Sequence, residues 1–289
     1  MARKAVLVGI NDYAPVGNGG PDLRGCVNDV RDMANTLNVL HIVPAMPANM
    51  RILTDARATR GAILENLRWL LSGAKRGDVL VFYYSGHGSQ MVDTSGDDPD
   101  RRDETICPHD YATAGMIKDD DLRAMLLALP PGVNLDVILD SCHAGTATRD
   151  LAARAALPDG EALTARYIEP PIDWGFFLDA NPGLPGRRLL APGAEEGTAG
   201  TRQPVLVPGL NHVLWAACRD NQTSTETTIG GQVRGVFTYH FCRTLRRAGT
   251  TITRRRLDAQ VSVNLSGAGF SQVPQLEATA TSMAERVFT

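Results

Sequence analysis

Two side chains capable of nucleophilic and acid–base chemistry stand just beyond two apolar runs. Val79-Leu80-Val81-Phe82-Tyr83-Tyr84 leads into Ser85-Gly86-His87-Gly88, and Val133 to Leu139 leads into Asp140-Ser141-Cys142-His143-Ala144-Gly145. In an open parallel sheet, ligands bind beyond the carboxyl ends of the strands. If these runs are neighbouring strands, His87 and Cys142 share one crevice. A thiol within reach of an imidazole is the minimum equipment for attack on an amide carbonyl. Gly88 lets a substrate backbone approach closely. Its N–H, with that of Cys142, would hold the developing oxyanion, an effect worth about 3 kcal/mol per donor. The residues alone leave a plainer reading open, because free cysteines are usually small buried hydrophobes and His87 alone would pass for a satisfied loop histidine. His143 competes as a base, but as the direct neighbour of Cys142 it should point away from it.

A polar slot is expected beside this pair. Asp29 lies three residues after Cys26, on one face of a helical pattern. Ser85 and Asp140 each precede a candidate catalytic residue by two, and a two-residue offset on a strand keeps side chains on one face. Two carboxylates in one slot attract a cation, and arginine offers a planar fork that carboxylates bind in bidentate fashion. Helix capping by Asp29 and a strand end at Asp140 are the ordinary alternatives. The run Asp119-Asp120-Asp121 is likewise open between helix capping and calcium, which takes clustered carboxylate oxygens.

The elements that must position these residues follow from periodicity. Short β-branched runs alternate with helical patterns, which predicts an α/β fold with a largely parallel sheet. Strands are expected at Ala5–Ile10, Met50–Leu53, Asp78–Tyr84, Val133–Asp140 and Val213–Cys218, with a short last one near Val273–Leu276. Helical spacing recurs at Val27, Val30, Ala34 and Leu37; at Ile63, Leu67 and Leu70; and at Leu122, Met125, Leu126 and Leu129 before Pro130-Pro131. It returns at Phe237, Phe241 and Leu245, and at Leu257, Val261 and Leu265. The stretch Asp93 to Asp103 is expected as an exposed loop. The stretch from about Asp150 to Pro208, rich in Ala, Gly, Pro and Arg, is long for an internal loop. It divides the chain into a larger part at 1–150, a linker at 151–207 and a smaller part at 208–289 of one α/β unit.

The 289 residues are 43% hydrophobic and 21% charged, with a net charge of -3. That supports a sizeable core and gives no general pull toward nucleic acid or anionic lipid. Arg254-Arg255-Arg256 is the densest basic run and is expected at a solvated helix end. No apolar run approaches the roughly 18 residues a membrane span needs. Five cysteines without a CxxC pair argue against a disulfide framework and for a reducing cytoplasm. Gly17-Asn18-Gly19-Gly20 hints at a phosphate loop but lacks the GK[ST] ending.

Tyr84-Ser85-Gly86-His87-Gly88 and Asp140-Ser141-Cys142-His143-Ala144-Gly145 resemble the two catalytic motifs of metacaspases, within the wider caspase-like peptidases. Flanking segments match too: Val8-Gly9-Ile10-Asn11, Gly25-Cys26-Val27-Asn28-Asp29, Asp103-Glu104-Thr105-Ile106, Ala216 to Thr223, Gly235-Val236-Phe237-Thr238 and Gln272-Val273-Pro274-Gln275. The resemblance spans nearly the whole chain, with the linker as its gap. It implies a caspase-like three-layer sandwich: a mostly parallel central sheet of about six strands with helices on both faces. It implies a cysteine endopeptidase using His87 and Cys142, with Cys26, Asp29, Ser85 and Asp140 forming a pocket for Arg or Lys before the scissile bond and rejecting Asp there.

No cofactor is implied for the chemistry. Calcium activation is implied, with ligands at Asp103, Asp119 and Asp120 and a further one near Asp150, where Arg149-Asp150 stands one residue out of register. An Arg-directed enzyme carrying Arg149, Arg154, Arg166, Arg187, Arg188 and Arg202 in and beside its linker would process itself between about Arg149 and Arg202. No long extension precedes the first strand, so recruitment would fall to another protein. Protein substrates with basic residues are the expected partners, with neither nucleic acid nor membrane. The competing reading is an inactive caspase-like scaffold.

Overall fold

The computed structural model of this chain describes residues 1–14, 21–92, 102–142, 163–168, 205–206, 211–219 and 222–289. The Gly17-Asn18-Gly19-Gly20 loop, His143, Arg149, Asp150, Arg154, Arg187, Arg188 and Arg202 lie outside these residues.

The central sheet runs in the order β2 (Met50–Thr54), β1 (Arg3–Gly9), β3 (Val79–Ser85), β7 (Asn134–Asp140), β10 (Val213–Ala216) and β13 (Gln275–Ala278). A two-residue strand β9 (Val205–Leu206) adds to its edge. The first five are mutually parallel and β13 is antiparallel to β10. Parallel strands buried on both faces carry continuous apolar runs, and here alternate side chains feed two separate cores. Val79, Val81 and Tyr83 join the core beneath α1 (Cys26–Val39), α5 (Val236–Ala248) and α6 (Arg254–Gly267). Leu80, Phe82 and Tyr84 join the core beneath α2 (Arg60–Leu71) and α4 (Asp119–Leu126). The three-layer arrangement and the six expected strands are therefore present. Helix α4 stops at Leu126, short of the expected Leu129. Short helices α3 (Tyr111–Ala114) and α7 (Ala280–Ala284) complete the set among the described residues.

Two small sheets escape the periodicity. One joins β4 (Gly88–Val92), β5 (Arg102–Ile106) and β6 (Ile117–Lys118); the other joins β12 (Gln232–Gly235), β11 (Thr225–Ile229) and β8 (Thr164–Ala165). Their strands are short and polar, so the apolar alternation that marks a strand is missing. Asp103, expected in an exposed loop, instead sits inside β5 and is only 1% exposed.

The basic run also needs correction. Arg255 and Arg256 are exposed, but Arg254 is buried and pairs with Asp136 Oδ2 at 3.4 Å and Glu285 Oε2 at 3.2 Å. Asp136 also accepts the indole N–H of Trp215 at 2.9 Å. A buried carboxylate in the middle of a sheet needs a cation and hydrogen bonds, and the first residue of α6 supplies the cation.

Candidate active site

Strands β3 and β7 lie side by side with Ser85 opposite Asp140, so the segments that follow them leave the sheet together. Gly86 turns the chain here, where a Cβ would sit 2.7 Å from the Tyr13 hydroxyl and against that of Tyr84. The same tyrosines fix His87: Tyr13 Oη accepts from its N–H at 2.7 Å, and Tyr84 Oη donates toward its carbonyl at 2.6 Å. The imidazole is buried and its Nε2 lies 2.6 Å from the Pro21 carbonyl. In the neutral ring that contact places the proton on Nε2 and leaves Nδ1 as the base. Nδ1 is buried with no hydrogen-bond partner among the described residues. Burial pushes the imidazole down to about 4, against the opposing pull of the Pro21 carbonyl; the Arg166 charge lowers it further and the Arg166 main chain raises it.

Cys142 is buried, and its thiol donates to the Ser224 carbonyl at 3.0 Å. The main-chain N–H groups of Gly88 and Cys142 converge on one atom, the carbonyl oxygen of Arg166, at 3.0 and 3.2 Å. That is the pair of donors expected for an oxyanion, and a peptide carbonyl of the chain itself lies between them. Arg166 N–H donates to the same Ser224 carbonyl that receives the thiol, at 3.1 Å. The Arg166 peptide thus lies against both sequence motifs. It lies there as part of an extended strand, pairing antiparallel through β8 with β11 before Arg166 and bridging Gly88 in parallel at Tyr167.

The Arg166 side chain is fully buried in the expected slot. Nη2 meets Asp29 Oδ2 at 2.6 Å and Glu226 Oε2 at 3.3 Å; Nη1 meets Ser85 Oγ at 2.9 Å and Asp140 Oδ1 at 3.2 Å. The acids are themselves held. Asp29 accepts from Gly235 N at 2.9 Å, Asp140 from Ser224 Oγ and Thr238 Oγ1 at 2.6 Å each, and Glu226 from Arg24 N at 2.8 Å and Gly25 N at 3.1 Å. Burial pushes the Asp29 carboxyl up to about 6 in spite of the guanidinium beside it. The Cys26 thiol lies 4.0 Å from Glu226 Oε2, and burial raises it well above the ordinary thiol range. A side chain at Gly235 would collide with Asp140, and its Cβ would lie 2.7 Å from both Arg166 Nη1 and Asp29 Oδ2.

Asp29, Ser85 and Asp140 therefore surround one cation. Sequence reasoning missed Ser224 and Glu226, and quoted Gly235 and Thr238 only within a matching segment, with no role in the site. Ser224 and Glu226 stand two apart, the strand spacing that was used for Ser85 and His87, but their polar run carried no apolar alternation to mark it as a strand.

Of the acids proposed for calcium, Asp103 pairs with Lys118 and Asp120 with Arg123, and Asp150 lies outside the described residues. Among the described residues no group of three or more His, Cys, Asp or Glu side chains stands ready for a metal ion. No helix among them is long and apolar enough to cross a membrane.

Residues 3–151 match the model of the metacaspase peptidase C14 domain. Metacaspase-1 of Mycosarcoma maydis is 35% identical over 96% of this chain and 70% of its own length. Metacaspase-1B of Aspergillus oryzae is 35% identical over 95% of this chain and 67% of its own. A crystal structure of a Geobacter sulfurreducens protein superposes with a TM-score of 0.66 at 23% identity, covering 100% of this chain and 99% of that one, so it shares the fold. With that fold and kinship, the chain belongs to the metacaspases, a family of cysteine-type endopeptidases that need no cofactor for their chemistry.

Proposed function

We propose that the protein cleaves polypeptides after arginine, that Cys142 is the nucleophile and His87 its proton carrier, and that its own Arg166–Tyr167 bond is a substrate. Lysine, shorter and without a fork, would be accepted less well. The observation that carries this reading is the Arg166 carbonyl oxygen shared by the N–H groups of Gly88 and Cys142.

The chemistry then runs as follows. The thiol turns from Ser224 and passes its proton to His87 Nδ1. Sulfur attacks the Arg166 carbonyl carbon, and the oxygen takes up negative charge between the two donors already in place. Such preorganised donors are worth about 3 kcal/mol each in the transition state. His87 returns the proton to the Tyr167 nitrogen, which leaves as the amine. Water, deprotonated by the same imidazole, hydrolyses the thioester and frees the Arg166 carboxylate. Until that happens Arg166 fills the pocket, so the uncut chain is a zymogen. Calcium modulation belongs to the same reading; the ion would have to draw Asp103 off Lys118, and an Arg-peptide assay unresponsive to millimolar calcium would remove it.

Intact-mass measurement of freshly purified wild type and Cys142→Ala tests the proposal. Wild type should give one fragment ending at Arg166 and another starting at Tyr167, and Cys142→Ala should remain whole. A wild-type chain that turns over Arg peptides while its 166–167 bond stays intact would sink the self-substrate part. The full burial of Arg166 also suits a permanent plug in an inactive scaffold; a wild type that cleaves neither itself nor any Arg peptide would favour that reading.

A further inference from the structure

We propose that β4 forms a binding subsite for the leaving half of the substrate, one that takes an aliphatic residue with a main-chain N–H at the second position after the scissile bond. The proposal rests on the reading of Arg166–Tyr167 as a substrate bond.

The chain after Arg166 is held as deliberately as the chain before it. Ile168 N–H donates to the Gly88 carbonyl at 3.0 Å, and the Ser89 hydroxyl donates to the Ile168 carbonyl at 2.7 Å. Tyr167 forms the parallel bridge with Gly88 between these contacts. Ser89 is wholly buried with this segment in place, and its backbone is held by pairing with Thr105 on β5. The Ile168 side chain packs on the apolar cluster that includes Tyr84, Ile106 and Cys107.

Gly88 joins the two halves of the site. Its N–H holds the Arg166 carbonyl oxygen, and its own carbonyl holds Ile168 N–H. In a parallel bridge these two bonds set a single register. Seating the second leaving-side residue therefore draws the scissile carbonyl onto its donor. Binding energy collected beyond the reacting bond is then used to orient it. Proline at that position has no N–H to donate. It would leave the Gly88 carbonyl unpaired and the register loose. A carboxylate side chain would be placed against an apolar surface at a cost.

The test uses the full-length protein and three internally quenched peptides of sequence Leu-Thr-Ala-Arg-Tyr-Ile, with Ile kept or replaced by Asp or Pro. A fourth substrate, Leu-Thr-Ala-Arg-aminocoumarin, has no leaving-side residues. The Ile peptide should exceed the Asp and Pro peptides in kcat/KM by about tenfold or more, the scale of one lost hydrogen bond in a closed site. Ser89→Ala should shrink the ratio of the Ile peptide to the aminocoumarin by about threefold to tenfold. Equal rates across the three peptides would overturn the subsite while leaving cleavage after arginine intact. Failure of the wild type on all four substrates would overturn the underlying reading, and the subsite with it. The peptide series needs no variant, so a Ser89→Ala protein that does not fold leaves the test decisive.

Discussion

Ser85 and Asp140 are register partners on adjacent parallel strands, and both touch the Nη1 atom of one guanidinium. Two residues beyond each, the chain reaches His87 and Cys142. On the proposed reading, recognition of the side chain and reaction at the carbonyl would be set by the same pair of strands. Asp140→Asn keeps the shape but removes the carboxylate charge facing Nη1 and disturbs the Ser224 and Thr238 bonds. A charged hydrogen bond contributes about 1.5–3 kcal/mol, so kcat/KM for Arg peptides should fall about tenfold to a hundredfold, read in a fluorogenic assay. An unchanged value would remove Asp140 from the pocket.

Glu226 gives the pocket a third carboxylate, on the strand that pairs with the segment preceding Arg166. It meets Nη2 at 3.3 Å beside Asp29, so it answers the outer arm of a fork. A lysine ammonium, on a shorter stem, gains less from it. Glu226→Gln should cost Arg peptides about tenfold and Lys peptides less, narrowing the Arg-to-Lys ratio. Equal losses on both peptides would mean that Glu226 only props up the pocket.

Acid should weaken the enzyme through Asp29. With arginine in place, burial holds this carboxyl at about 6. Emptying the pocket removes the guanidinium that lowers this carboxyl but also admits water, which relieves the burial that raises it. Arginine binds the ionised form. As pH falls, kcat, measured with the pocket filled, should drop through about 6. His87 in the filled site lies at about 4 and stays neutral across the kcat limb. Asp29→Asn should be slower yet lose that limb; a limb with an unmoved midpoint in the variant would assign it to His87 instead.

Some of this site was legible from residue order and some was not, for physical reasons. Parallel strands buried on both faces announce themselves as apolar runs, so β3 and β7 and the polar tips beyond them were readable. The two-residue offset put Ser85 and Asp140 on one face, and both contact the Arg166 guanidinium. Glu226 and Gly235 lie on β11 and β12, a hairpin whose strands are half polar and carry no clear apolar alternation. Gly235 matters only through what a Cβ would strike, a fact that exists in three dimensions alone. Arg166 was one of six equal linker arginines in the sequence; its distinction is a place in a slot.

Arg254 shows the opposite error, a surface reading given to a buried ion. Removing one partner of a buried pair costs about 3–5 kcal/mol because the other charge stays behind. Arg254→Met should therefore lower the urea midpoint by an amount on that scale, while Arg255→Met, at an exposed position, should change stability by less than about 0.5 kcal/mol. The double variant Arg254→Met/Asp136→Leu removes both charges and should recover part of the loss. A single Arg254 variant as stable as wild type would mean that water reaches Asp136.

Arg166→Gln separates the two roles given to this residue. The variant lacks a cleavable bond at 166 and also the cation that seals the pocket. If the uncut strand inhibits, wild type should show a lag on short Arg peptides while the 166–167 bond is cut, and the variant should start at full rate without one. The three acids left behind would face water in an open slot, which limits the penalty that an unpaired buried charge otherwise carries. A variant that is fully active from the first seconds, beside a wild type with an equal initial rate, would show that Arg166 leaves the pocket freely and that occupancy alone does not restrain the enzyme.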